Sequence, residues 1–102
     1  MDQSTMKPHV VFPPGDLIKE ELEARGWTQV QFAAILGRPF QVVNGILNGK
    51  REITPETALQ LSAALGSSAE VWARMEAEYR LHLAAQKFVD GDAIAARAQQ
   101  AS

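Results

Sequence analysis

The chain contains no cysteine, which excludes disulfides and thiolate metal sites. Its only histidines, His9 and His82, stand far apart, and neither has a recognisable metal or triad partner. Glu20, Glu21 and Glu23 fall on a helix face that reads as solvated. No glycine-rich phosphate loop is present, because Gly45 and Gly49 lie within and at the end of an expected helix. Catalysis, a metal and a cofactor are therefore not expected. No apolar run approaches the roughly 18 residues that a membrane span needs. The N-terminus lacks the basic-then-apolar pattern of an export signal, so a cytoplasmic location is expected. Alternating strand patterns are also lacking. With 102 residues the chain can bury one core, but not a core plus a large active-site pocket.

Charge of one sign is missing where it matters. From Thr28 to Arg51 there is no Asp or Glu, while Arg38, Lys50 and Arg51 give this window +3. The rest of the chain holds 7 basic and 12 acidic residues, a net −5. A local basic face on an acidic body can still find a phosphate backbone, and the acidic body suits a second, basic partner.

Helical periodicity fills the chain from residue 13 onward. Residues 1–12 read as a loose arm, and Pro13-Pro14-Gly15 as a stiff breaker followed by a flexible hinge. Asp16 is the expected N-cap of a helix to Arg25, with Leu17, Ile18 and Leu22 inward and Gly26 ending it. Thr28 and Gln31 have capping-box spacing and open a second helix, with Phe32, Ala33 and Leu36 inward and Gly37 at its end. Pro39 suits the first turn of a third helix. That helix has Val43, Ile46 and Leu47 as its apolar stripe, and Gly49 terminates it. Thr54-Pro55-Glu56 starts a fourth, carrying Ala58, Leu61 and Leu65. A capping box at Ser67–Glu70 opens the longest helix, Ser68 to about Lys87, whose apolar stripe is Trp72, Met75, Tyr79 and Leu83. Glu70/Arg74 and Glu76/Arg80 are four-apart pairs assigned to its surface. Residues 88–102 read as a short tail, with Ala93–Ala98 a short or fraying helix. The expected fold is all-α: a five-helix domain over 13–87 with a long C-terminal helix.

The informative unit is the second helix, Gly37 and the third helix. A small residue (Ala33) permits close approach, glycine allows a positive φ in the turn, and Val43 locks the pair. This is the spacing of a helix-turn-helix. Gln41 and Asn44 lie three apart on the outward face of the third helix, and amides can pair bidentately with adenine edges. Phe40 is placed either against a thymine methyl or on Pro39. Gly45 leaves room rather than making contacts. Lys50 and Arg51, just after the helix, are placed to meet phosphates in a salt-dependent way.

Several stretches carry a family resemblance: Pro-Gly-Asp-Leu-Ile-Lys-Glu-Glu-Leu (14–22), Trp-Thr-Gln (27–29), Ile-Leu-Gly-Arg-Pro (35–39), Ile-Leu-Asn-Gly-Lys-Arg-Glu-Ile-Thr (46–54) and Ala-Leu-Gly-Ser-Ser-Ala-Glu-Val-Trp (64–72). Over about residues 13–86 the chain resembles the Cro/repressor-like helix-turn-helix family, and within it the HigA-type antitoxins. It departs from that pattern at Pro13, where histidine is usual. It also departs at Arg38-Pro39, which replaces the usual small N-cap. The third helix has no Arg or Lys after Arg38, which argues against strong direct readout of guanine. The resemblance implies a lambda-repressor-like domain that represses transcription from an operator, with Thr28, Gln29, Arg38, Phe40, Gln41, Asn44, Lys50 and Arg51 at the DNA. Gln29 would sit beside a phosphate at a helix start, and Gln41 is the leading base reader. It further implies neutralisation of a small basic ribonuclease toxin, through either of two candidate arms, 1–12 or 88–102. Repressors of this type read paired half-sites as dimers. The stripe Trp72, Met75, Tyr79 and Leu83 reads first as core; it is longer than one small domain covers, and the surplus makes it the expected homodimer interface. Two rivals share the fold: a free-standing regulator without a toxin, and a protein-interaction module that has lost DNA binding.

Overall fold

The computed structural model describes residues 11–101; most of the expected N-terminal arm, residues 1–10, and His9 with it, lies outside the described residues. Six helices follow one another: α1 (Pro14–Arg25), α2 (Gln29–Leu36), α3 (Phe40–Leu47), α4 (Pro55–Leu65), α5 (Ala69–Lys87) and α6 (Gly91–Ala101). No strand occurs among the described residues.

The helix starts follow the chemistry of the sequence, with three shifts. Pro13 caps α1 and Pro14 occupies its first turn, so Asp16 is a first-turn acid rather than the N-cap. Its carboxylate still faces the positive end of the helix. Gly15 is no hinge. It lies inside α1, buried, and a Cβ added to it would stand 2.1 Å from the carbonyl oxygen of Leu47. The missing side chain therefore lets α1 lie directly on the backbone of α3. At α5 the cap is Ser68, whose hydroxyl accepts the Val71 N–H at 3.2 Å. The expected box from Ser67 to Glu70 does not form, because the helix begins one residue later. Thr28 does form its box: its hydroxyl accepts the Gln31 N–H at 3.0 Å, and the Gln31 side chain accepts the Thr28 N–H at 2.8 Å. Thr54 caps α4 by accepting from Thr57 N–H.

The core gathers one stripe from each of the first five helices: Ile18 and Leu22, Phe32 and Ala33, Val43, Ile46 and Leu47, Ala58, Leu61 and Leu65, and Trp72. Ile53, from the α3–α4 turn, completes it. Leu17 does not join it but lies partly open to solvent; it is 100° around the helix from Ile18, and only one of the two can point at the centre. Trp27 stacks on Phe32 at 6.2 Å, and the Arg25 guanidinium lies over the Trp27 ring at 5.6 Å. Arg25 also donates to the Leu65 carbonyl at 2.9 Å, satisfying one of the orphan acceptors at the end of α4.

The expectation of five helices and a short tail is corrected by α6. Its alanines give it high intrinsic helicity, yet none of its residues is buried. The molecule measures 55 × 35 × 21 Å along its principal axes.

Candidate nucleic-acid interface

The α2–α3 corner is built by Gly37, which takes φ 71°, the left-handed region. Its N–H donates to the Ala34 carbonyl at 3.2 Å, and the Arg38 N–H donates to the Ala33 carbonyl at 3.0 Å. Ala33 is buried at the contact and Val43 is fully buried opposite. The three positions that defined the motif in the sequence thus meet as expected. They present α3 with one face in the core and one outward.

On the outward face, Phe40 and Gln41 are exposed, while Asn44 and Gly45 are partly covered. Asn44 Nδ2 donates to Gln29 Oε1 at 2.9 Å. The expected phosphate contact, Gln29, and one of the two amides expected at base edges, Asn44, are therefore linked side chains. Gln29 keeps its amide N–H groups, and Asn44 its carbonyl, for an outside partner. Thr28 stands next to this pair. Its hydroxyl accepts the capping bond and retains a proton to donate.

Arg38, expected at the DNA, is half-buried and has partners within the fold. One guanidinium nitrogen donates to Thr57 Oγ1 and to Gln60 Oε1, both at 3.0 Å. The only cation close before α3 is thus committed to fixing the motif's corner on α4.

Lys50 and Arg51 are exposed on the turn after α3. Gly49 adopts φ 75° to make that turn. The Lys50 and Arg51 N–H groups both return to the Gly45 carbonyl, at 2.8 and 3.1 Å. The aliphatic stem of Arg51 lies over Gly45, where an added Cβ would stand 3.0 Å from Arg51 Cγ. Gly45 does leave room, and what fills it is the stem of Arg51. A continuous strip results, running from Thr28 and Gln29 through Asn44 and Gln41 to Arg51 and Lys50. Glu52, exposed directly after it, bounds the basic end.

Trp72 does not belong to a dimer surface. It is 1% exposed, inside the protomer's own core, so it has no area left to give a partner. Met75, Tyr79 and Leu83 are half-buried along α5 and retain surface. The Glu76/Arg80 pair, assigned to the surface from sequence, is instead largely internal. Glu76 is buried, accepts the Ile53 N–H at 3.0 Å and pairs with Arg80 at 2.8 Å. The signal was present: Glu76 lies four residues from Trp72, on the same helix face, where an acid implies a buried partner. Among the described residues Glu70 and Arg74 form no ion pair.

This geometry has known counterparts. The Helix-turn-helix family model matches residues 18–72. An uncharacterized HTH-type transcriptional regulator, YddM of Escherichia coli K12, is 34% identical over 77 residues, covering 76% of this chain and 81% of that protein. The solved structure of an addiction module antidote protein of a HigA family from Coxiella burnetii is similar at TM-score 0.73 and 33% identity, over 84% of this chain and 92% of that one. The antitoxin HigA of Pseudomonas aeruginosa, solved with the higBA promoter, is similar at TM-score 0.74 and 26% identity, over 83% and 91%. The chain belongs to the helix-turn-helix family of DNA-binding transcriptional regulators, on its HigA-type antitoxin branch.

Proposed function

We propose that this protein is an antitoxin that binds its own operator as a homodimer, represses its operon and neutralises a small basic ribonuclease encoded beside it. The single observation that carries the DNA reading is the unbroken strip of amides and cations across α2, α3 and the following turn. In this reading Gln41 and the linked Gln29–Asn44 amides face base edges and one phosphate. Lys50 and Arg51 neutralise flanking phosphates. The half-buried row Met75, Tyr79 and Leu83 supports a second copy across α5, and two copies supply the paired half-sites that such repressors read. The acidic remainder of the chain supports a basic partner. The protein acts by binding, not catalysis, in the cytoplasm. The domain spans residues 13–87, and α6 lies beyond it in the 88–102 segment.

The test is titration of the purified protein against a duplex from its own upstream region and a shuffled duplex across a salt series. Selective binding that weakens when Lys50 and Arg51 are both changed to alanine is expected. Equal, weak binding to both duplexes would instead favour an interaction module, a reading helped by the commitment of Arg38 to α4. Co-expression with a neighbouring basic open reading frame tests the toxin: a stable complex and restored growth are expected.

A further inference from the structure

The turn that carries Lys50 and Arg51 has its backbone held from two sides. From below, the Gly45 carbonyl accepts the Lys50 and Arg51 N–H groups. From α5, Arg80 Nη2 donates to the Gly49 and Arg51 carbonyls, each at 3.3 Å. Glu76 Oε2 accepts the Ile53 N–H at 3.0 Å and the Arg80 Nε–H at 2.8 Å. One buried carboxylate oxygen therefore orients the guanidinium and fixes the far end of the turn. Tyr79 lies beside this cluster, with Arg80 over its ring at 5.4 Å and its hydroxyl near Gly49.

We propose that Glu76 and Arg80 are positioning residues for DNA binding: from α5, 23 to 31 residues from the turn in sequence, they set the pose in which Lys50 and Arg51 meet the phosphate backbone. A flexible turn would have to be ordered on each binding event, and that ordering opposes association. A turn whose carbonyls and N–H groups are already bonded presents both cations with little further entropy loss. The proposal rests on the DNA role given to Lys50 and Arg51 above.

The experiment uses the full chain and a labelled duplex from its own upstream region, titrated across a salt series. The variants are Glu76→Ala, Glu76→Gln, Arg80→Met and Lys50→Ala/Arg51→Ala, with Glu76→Ala also placed in that double background. Glu76→Ala and Arg80→Met should each weaken binding about tenfold and flatten the salt slope by about 2 for a dimer. Glu76→Gln, whose carbonyl still accepts the Ile53 N–H, should stay within about threefold of wild type. In the Lys50→Ala/Arg51→Ala background, Glu76→Ala should cause no additional loss. Amide exchange should quicken at Ile53 while the amides of α1 to α4 keep their protection. Arg80→Met leaves the Glu76–Ile53 bond in place, so it reports on the proposal even if Glu76→Ala does not fold. A Glu76→Ala loss that persists without the two cations would mean the pair acts through general stability, and would overturn the proposal. Wild-type affinity in Arg80→Met and Glu76→Ala, beside a clear loss in Lys50→Ala/Arg51→Ala, would overturn it alone. Unchanged binding in Lys50→Ala/Arg51→Ala would overturn the DNA role of the turn and the proposal together.

Discussion

Gly15 shows how a single residue can carry the geometry of the whole motif. In sequence it follows two prolines and reads as a hinge, because a glycine needed for flexibility and a glycine needed for contact are the same letter. In the fold it is helical and buried, and its Cα faces the last carbonyl groups of α3. A methyl group there cannot be accommodated by moving a side chain, since its neighbours are backbone atoms. Gly15→Ala should therefore lower stability by about 1–3 kcal/mol, the range for overpacking, measured by urea unfolding. It should also tilt α3 relative to α1, so operator affinity should fall further than the loss of folded protein explains. A neutral Gly15→Ala would mean that α1 and α3 can separate freely, contrary to the contact described. Gln29 and Asn44 make a related point. Each was legible as a candidate polar contact, but their mutual hydrogen bond was not, since no spacing rule links a side chain at the start of one helix to another a helix and a half away.

At the scale of elements, the sequence was most informative where local chemistry alone decides the structure. The capping box at Thr28, the left-handed glycines at 26, 37 and 49, and the inward stripes of α3 and α4 all follow from spacing and backbone sterics. Non-local balance decided the rest. Trp72 could be assigned to an apolar stripe, but not to this core or a partner's, because periodicity does not count the surface available to cover it. Arg38 looked like a free cation until α4 supplied Thr57 and Gln60. Glu76 reads as solvated when only its four-apart partner Arg80 is weighed; its place one turn from Trp72 marks the inner face, and the 49–53 turn supplies the partner that spacing does not name. The sixth helix is harder to read because Ile94 is its one large apolar residue and gives no repeated stripe, while its alanines keep high helicity. Its lack of buried residues gives a direct expectation. Ending the chain at Val89 should change the unfolding free energy of the protomer by less than about 0.5 kcal/mol, as for surface changes away from packed features. Urea unfolding at low protein concentration checks this, and a larger loss would place α6 against the body or a second copy.

For the whole molecule, charge is the property that decides how it meets DNA. The net charge of −2 is the sum of a +3 window and a −5 remainder, so a duplex at long range meets repulsion and at short range meets attraction. Added salt acts on both. It screens the body's repulsion within a Debye length of about 10 Å at 0.1 M, and it weakens the direct contacts by reducing the gain from counterion release. With Arg38 committed to α4, a dimer has Lys50 and Arg51 twice, four cations in all. At about 0.9 per neutralised phosphate, these contribute between about 3 and 4 to the slope of log K against log salt. Below the concentration at which the body's field is screened, the plot should flatten, because repulsion relieved by salt offsets part of the contact loss. Removing both cations should cut the slope by that same amount while leaving discrimination between operator and shuffled duplex partly intact, since base reading is assigned to Gln41 and Asn44. Changing Gln41 to alanine should do the opposite, lowering discrimination at an unchanged slope. If the two variants instead altered slope and discrimination together, the division of labour between the turn and the outward face of α3 would be wrong.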